Sequence, residues 1–175
     1  DVDISRCELE KLPLTFRNVT GSFNCSENFL TSLKGSPKRC GRFYCYDNEL
    51  ESLKGGPEYV EEVMNCSQNN LTDLKYSPIE VFDFISNYNN LTSLIGCPKS
   101  VNNFDVSGNK LKSLENSPKQ VYNYFFAGHN ELKELNLNDF NISGELVVVG
   151  NKITNIKFNN NIKVDFIDNP IYNLK

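Results

Sequence analysis

The 175-residue sequence has no tryptophan, one methionine and one histidine. The lone imidazole, His129, has Asp105 and Ser107 earlier in the chain. No G-x-S-x-G elbow accompanies them, and a Ser–His–Asp triad needs both geometry and an oxyanion hole. His129 therefore reads as a contact residue, and no enzyme activity is expected. None of the six cysteines is spaced C-x-x-C, the pattern of a zinc site. No metal and no cofactor is expected. No apolar run approaches the roughly 20 residues of a bilayer-spanning helix, so no membrane partner is expected. Positive charge is sparse: 18 Lys and Arg stand against 22 Asp and Glu, a net charge of −4, and they are scattered along the chain. A nucleic-acid partner calls for a basic stripe and is not expected. At 39% hydrophobic and 23% charged the chain is not disordered in composition. Its length fits one domain, residues 1–175.

What is abundant is asparagine, and it is periodic. Asn28, Asn48, Asn69, Asn89, Asn109, Asn130 and Asn151 recur every 20 or 21 residues. Two positions after each stands Leu30, Leu50, Leu71, Leu91, Leu111, Leu132 or Ile153. Three further on stands Leu33, Leu53, Leu74, Leu94, Leu114, Leu135 or Ile156. Pro37, Pro57, Pro78, Pro98 and Pro118 follow, then Cys40, Val60, Val81, Val101 and Val121. Cys7 takes the Asn position in a first unit, and Asn169 to Leu174 form a last unit after a shorter interval. A fixed period of this length is the signature of a solenoid.

The pattern resembles the leucine-rich repeat, L-x-x-L-x-L-x-x-N/C-x-L, over nearly the whole chain. The short unit, with Leu30 to Leu33 and Leu91 to Leu94 spelling LTSL, is similar to repeats of secreted bacterial effectors, including those joined to ubiquitin-ligase domains. It is also similar to repeat proteins of large tailed phages. Effector repeats carry Pro straight after the second Leu, where Lys34, Lys54, Lys75 and Ile95 stand here. The repeats run throughout, so the resemblance implies the fold and not the ligase chemistry.

Alternation along a strand turns Phe23 and Cys25 to one side and Asn24 and Ser26 to the other. The inward pair recurs as Phe43/Cys45, Met64/Cys66, Phe84/Ser86, Phe104/Val106, Phe125/Ala127, Leu146/Val148 and Val164/Phe166. The expected fold is a leucine-rich-repeat solenoid with one short strand per repeat in a curved parallel β-sheet on its concave side. The convex return is expected to be extended and polyproline-like, with short 3-10 turns and little helix, because Pro fixes φ and has no donor. The periodic Asn is expected to turn inward and satisfy backbone groups of the loop leaving each strand.

Cys25, Cys45 and Cys66 share one inward position, Cys40 replaces the inward Val, and Cys97 lies in the Gly-x-Pro turn. Rungs about 4.8 Å apart do not by distance exclude a disulfide. Three equivalent cysteines in a row cannot all pair, however, and free Cys packs as a small hydrophobe. Buried thiols point to a reducing compartment, the cytoplasm, of a host cell if the effector likeness holds. Sequons at Asn18, Asn24, Asn65, Asn70, Asn90 and Asn141 read as chance matches in an Asn- and Ser-rich chain.

Function is expected on the concave face, at the variable outward strand positions. One column reads Asn24, Tyr44, Asn65, Ile85, Asp105, Phe126 and Val147, and the next Ser26, Tyr46, Ser67, Asn87, Ser107, Gly128 and Val149. A third runs Glu27, Asp47, Gln68, Tyr88, Gly108 and His129. Tyr44, Tyr46, Ile85, Tyr88, Tyr124 and Phe126 would form an apolar band, with Arg42, Asp83, Asp105 and Glu145 as a mostly acidic edge. Tyr is enriched in interface hot spots. The partner-binding set is therefore these six with Asp105 and His129, and the expected function is capture of a protein partner. Alternatives are a substrate-recognition domain of a larger enzyme and a structural part of a viral or surface assembly. Neither Asp1–Leu9 nor Ile162–Lys175 has the polar pattern of a cap, so self-association through open ends is also expected to be possible.

Overall fold

The computed structural model describes residues 1–157, 162–171, 173 and 174; Tyr172 and Lys175 of the last unit lie outside them. Each repeat contributes one short strand to a nine-stranded parallel sheet. The strands are Val2–Asp3, Ser22–Asn24, Arg42–Tyr44, Val63–Asn65, Asp83–Ile85, Asn103–Asp105, Tyr124–Phe126, Glu145–Val147 and Lys163–Asp165. Their order in space is their order in the chain, so the molecule is a parallel β-solenoid. The register never slips: Phe23, Phe43, Met64, Phe84, Phe104, Phe125, Leu146 and Val164 pair in succession. A one-residue slip would turn every one of these side chains to the opposite face.

The repeat positions become ladders of buried side chains. The inward Phe and Cys columns, both Leu columns and the Val column fill one continuous core. Phe23 stacks on Phe43 at 5.5 Å and receives the edge of Phe16 at 4.8 Å. Met64 interrupts the ring ladder, which resumes from Phe84 to Phe104 and Phe125. Burying one such side chain contributes about 1.5–3 kcal/mol.

After the second Leu the chain turns sharply. Ser36 N–H donates to Leu33 O, and Gly56, Ser77, Cys97 and Ser117 repeat the bond one rung at a time. The residue before each donor has positive φ: Gly35, Gly55, Tyr76, Gly96 and Asn116. That sign at the third turn residue marks a type II turn. The prolines that follow are buried, where their lack of N–H leaves no donor stranded.

The return path is extended, as its prolines imply, and it is also cross-linked between turns. Arg39–Cys40 pairs with Tyr59–Val60, and Ser100–Val101 with Gln120–Val121. Isolated bridges Asn18–Arg39, Tyr59–Glu80 and Val121–Ile142 extend these contacts. Among the described residues the 3-10 turns reduce to one, Leu137–Asp139, in the turn that has lost the Gly-x-Pro pattern. There the second-Leu segment becomes strand instead, and Glu134–Asn136, Asn155–Lys157 and Asn173–Leu174 form a three-stranded sheet. Among the described residues no helix is long and apolar enough to cross a membrane.

Candidate binding face

The asparagine ladder fixes the geometry on which the outer face depends. Asn89 Oδ1 accepts from Leu71 N–H at 3.0 Å, and its Nδ2 donates to the carbonyls of Cys66, Ser86 and Asn87 at 3.0, 3.2 and 3.3 Å. Asn28, Asn48, Asn69, Asn109, Asn130 and Asn151 make the same set within their own rung and the rung before. Asn169 joins them, accepting from Ile153 N–H and donating to Val148 O, which fixes the register of the last unit.

Just before each ladder Asn the backbone enters the left-handed region. Arg6, Glu27, Asp47, Gln68, Tyr88, Gly108, His129, Gly150 and Asp168 all have φ between 52° and 65°. This column was not anticipated from sequence; its two glycines were the available signal. Tyr88 and His129 stand in it one rung before a glycine. A Cβ at Gly108 would lie 2.6 Å from Tyr88 Cδ1, and one at Gly150 2.5 Å from His129 Nδ1. Each ring thus lies over the glycine of the next rung.

Polar outward residues are mostly committed to the backbone. Asn24 Oδ1 accepts from Ser26 N–H and Oγ–H, and Asn65 Oδ1 does the same with Ser67. These are Asx turns, so N-C-S at both strands is turn chemistry that matches a sequon by composition. Ser26 and Ser67 are buried, which corrects their placement among the open positions. Three of the residues expected along the acidic edge have polar partners. Arg42 pairs with Glu62 at 2.6 Å and Glu145 with Lys163 at 2.9 Å. Asp83 Oδ1 accepts from Asn103 N–H, Asn103 Nδ2 and Asn102 Nδ2.

The expected apolar band divides in two. Tyr44 and Tyr46 are half-buried on one rung, and Tyr46 Oη donates to Glu27, itself clamped by Arg6 at 2.7 Å. The Asn65/Ser67/Gln68 rung separates them from the second cluster. Ile85, Asp105 and Phe126 stand side by side on successive strands. Tyr124 stacks on Phe126 at 5.3 Å with the rings 16° apart. Tyr88 is 60% exposed and Tyr124 39%, while Phe126 and Ile85 are half-buried. His129 is exposed.

The buried thiols belong to the scaffold. Burial pushes Cys25 and Cys40 up to about 12 and Cys66 higher still, which removes the thiolate that nucleophilic or metal chemistry requires. Among the described residues no group of three or more His, Cys, Asp or Glu could hold a metal ion. No protein-family model, curated protein or solved structure matches the chain.

Proposed function

We propose that the chain is a non-enzymatic protein-binding module of leucine-rich-repeat type, with its partner docked on the outer face of the nine-stranded sheet. The Tyr124–Phe126 stack carries this reading, because it holds aromatic surface in a fixed orientation on strands locked to their neighbours. Rigid aromatics of this kind dominate interface energetics and lose little entropy on binding. Eight strand spacings of about 4.8 Å give a face about 38 Å long, enough for a helix or an extended segment of a partner. The likeness to phage and effector repeats suggests a bacterial or host target by analogy.

A Tyr44→Ala/Phe126→Ala double variant tests the proposal. It should retain the unfolding midpoint expected for two partly exposed truncations and lose the partner that the native chain pulls down. Undiminished capture of that partner would sink the reading. A second reading, end-to-end self-association, has its own support: Val2–Asp3 and Lys163–Asp165 are the edge strands, and the core residues Val164 and Phe166 are only half-buried. Sedimentation over a range of concentrations decides it.

A further inference from the structure

One outward column repeats a single structural task. Asp3, Asn24, Asn65, Asp105 and Asp165 each accept the N–H two residues on, at 2.9–3.2 Å. Asn24 and Asn65 show that a neutral amide suffices for that bond. The charge on an aspartate here is surplus to the fold.

At the two ends of the sheet that charge has company. Asp3 is exposed and near Arg6, and Asp165 lies close enough to Lys163 to act on it. Asp105 differs. It is half-buried between Ile85 and Phe126, and among the described residues no cation stands within ion-pair distance of it. Burial raises its pKa above that of an ordinary aspartate, opposed by the bond from Ser107. Tyr124, stacked beside Phe126, completes an aromatic wall one strand away. A desolvated carboxylate beside aromatic faces is the chemistry that receives a cation, through a charge-assisted hydrogen bond and cation–π contact.

We propose that Asp105 anchors an arginine side chain of an extended partner segment lying across the sheet. A guanidinium fits better than an ammonium, because its plane can stack on Phe126 while its edge donates to the carboxylate. The net charge of −4 favours approach of such a segment. This inference rests on the docking face proposed above and names the chemistry of its occupant.

The test titrates the ¹⁵N-labelled full chain with acetyl-Ala-Leu-Arg-Leu-Ala-amide and with the same peptide carrying citrulline, which is neutral and nearly isosteric. The arginine peptide should shift the amides of Tyr88, Ser107 and Phe126 and bind about tenfold tighter or more, the scale of a hydrogen bond to a charged group. Asp105→Asn should lower it to the citrulline level, in a fold that already tolerates Asn at this column. Equal binding of both peptides at these amides overturns the arginine anchor and leaves the docking face standing. So does an arginine preference that survives Asp105→Asn. Absence of shifts on the sheet also overturns the anchor, and the pull-down of the double variant then judges the face separately.

Discussion

Replacing Asn89 and Asn109 by alanine, singly and together, tests the amide ladder. In the single Asn89→Ala variant three carbonyls lose a donor, but each keeps another. Cys66 O retains Asn69, Ser86 O retains Asn109, and Asn87 O retains the N–H of Gln68. Only Leu71 N–H, inside a fully buried residue, is left without its acceptor. One stranded donor costs about 1–3 kcal/mol, and with the weakened carbonyl contacts the total is on the order of 2–4 kcal/mol. Asn109→Ala strands Leu91 N–H in the same way. The double variant does something neither single change does, because Ser86 O then loses both of its donors. Its cost should exceed the sum of the singles by about 1–3 kcal/mol. Asn48 and Asn109 share no carbonyl, so that pair should be additive. Urea unfolding followed by circular dichroism measures all of these. If the adjacent pair adds within about 0.5 kcal/mol, the shared-carbonyl account is wrong.

Alkali gives a second handle. Burial holds Cys25 and Cys40 at about 12, against an ordinary 9.0, so between these values the fold keeps protons that the unfolded chain has lost. Stability from these thiols is complete below 9.0 and falls as pH rises towards about 12. Cys40→Val installs the residue of Val60, Val81, Val101 and Val121 and should flatten part of that decline in urea midpoint; an unchanged slope contradicts it. Gly108→Ala meets both a positive φ and the Tyr88 ring. It should cost about 1–2 kcal/mol from the left-handed backbone alone, and more from the ring, a surplus that Tyr88→Ala should remove in a double-variant cycle.

The core was legible because its positions are chemically strict. A buried rung accepts Phe, Leu or Val and rejects charge, so Phe84, Leu91, Leu94 and Val101 announce their columns by type and spacing. The return bridges were not legible, since a two-residue strand such as Arg39–Cys40 is too short to show alternation. The left-handed column was hidden for another reason. The residues just before the ladder amides, Glu27, Gln68 and Tyr88 among them, adopt a conformation which only Gly108 and Gly150 advertise. On the outward face Tyr88 and Tyr124 are exposed and Phe126 is half-buried. The face was misread at Ser26 and Ser67, because hydroxyls that look solvent-seeking are drawn down by Asn24 and Asn65.

The ladder amides also give the solenoid an unequal pair of ends. Each amide reaches to its own turn and backwards, from Asn169 to Val148 and Ile153 and from Asn28 to Ile4 and Leu9. Trimming residues 1–12 removes no ladder amide; the N–H groups it uncovers, those of Ser22 and Phe29, belong to residues that are not buried. Trimming from residue 162 onward removes Asn169 and leaves Ile153 N–H bare in a fully buried residue. Fraying therefore costs the stack differently at its two ends, and each turn peeled from the C-terminal side uncovers a donor in the turn beneath it.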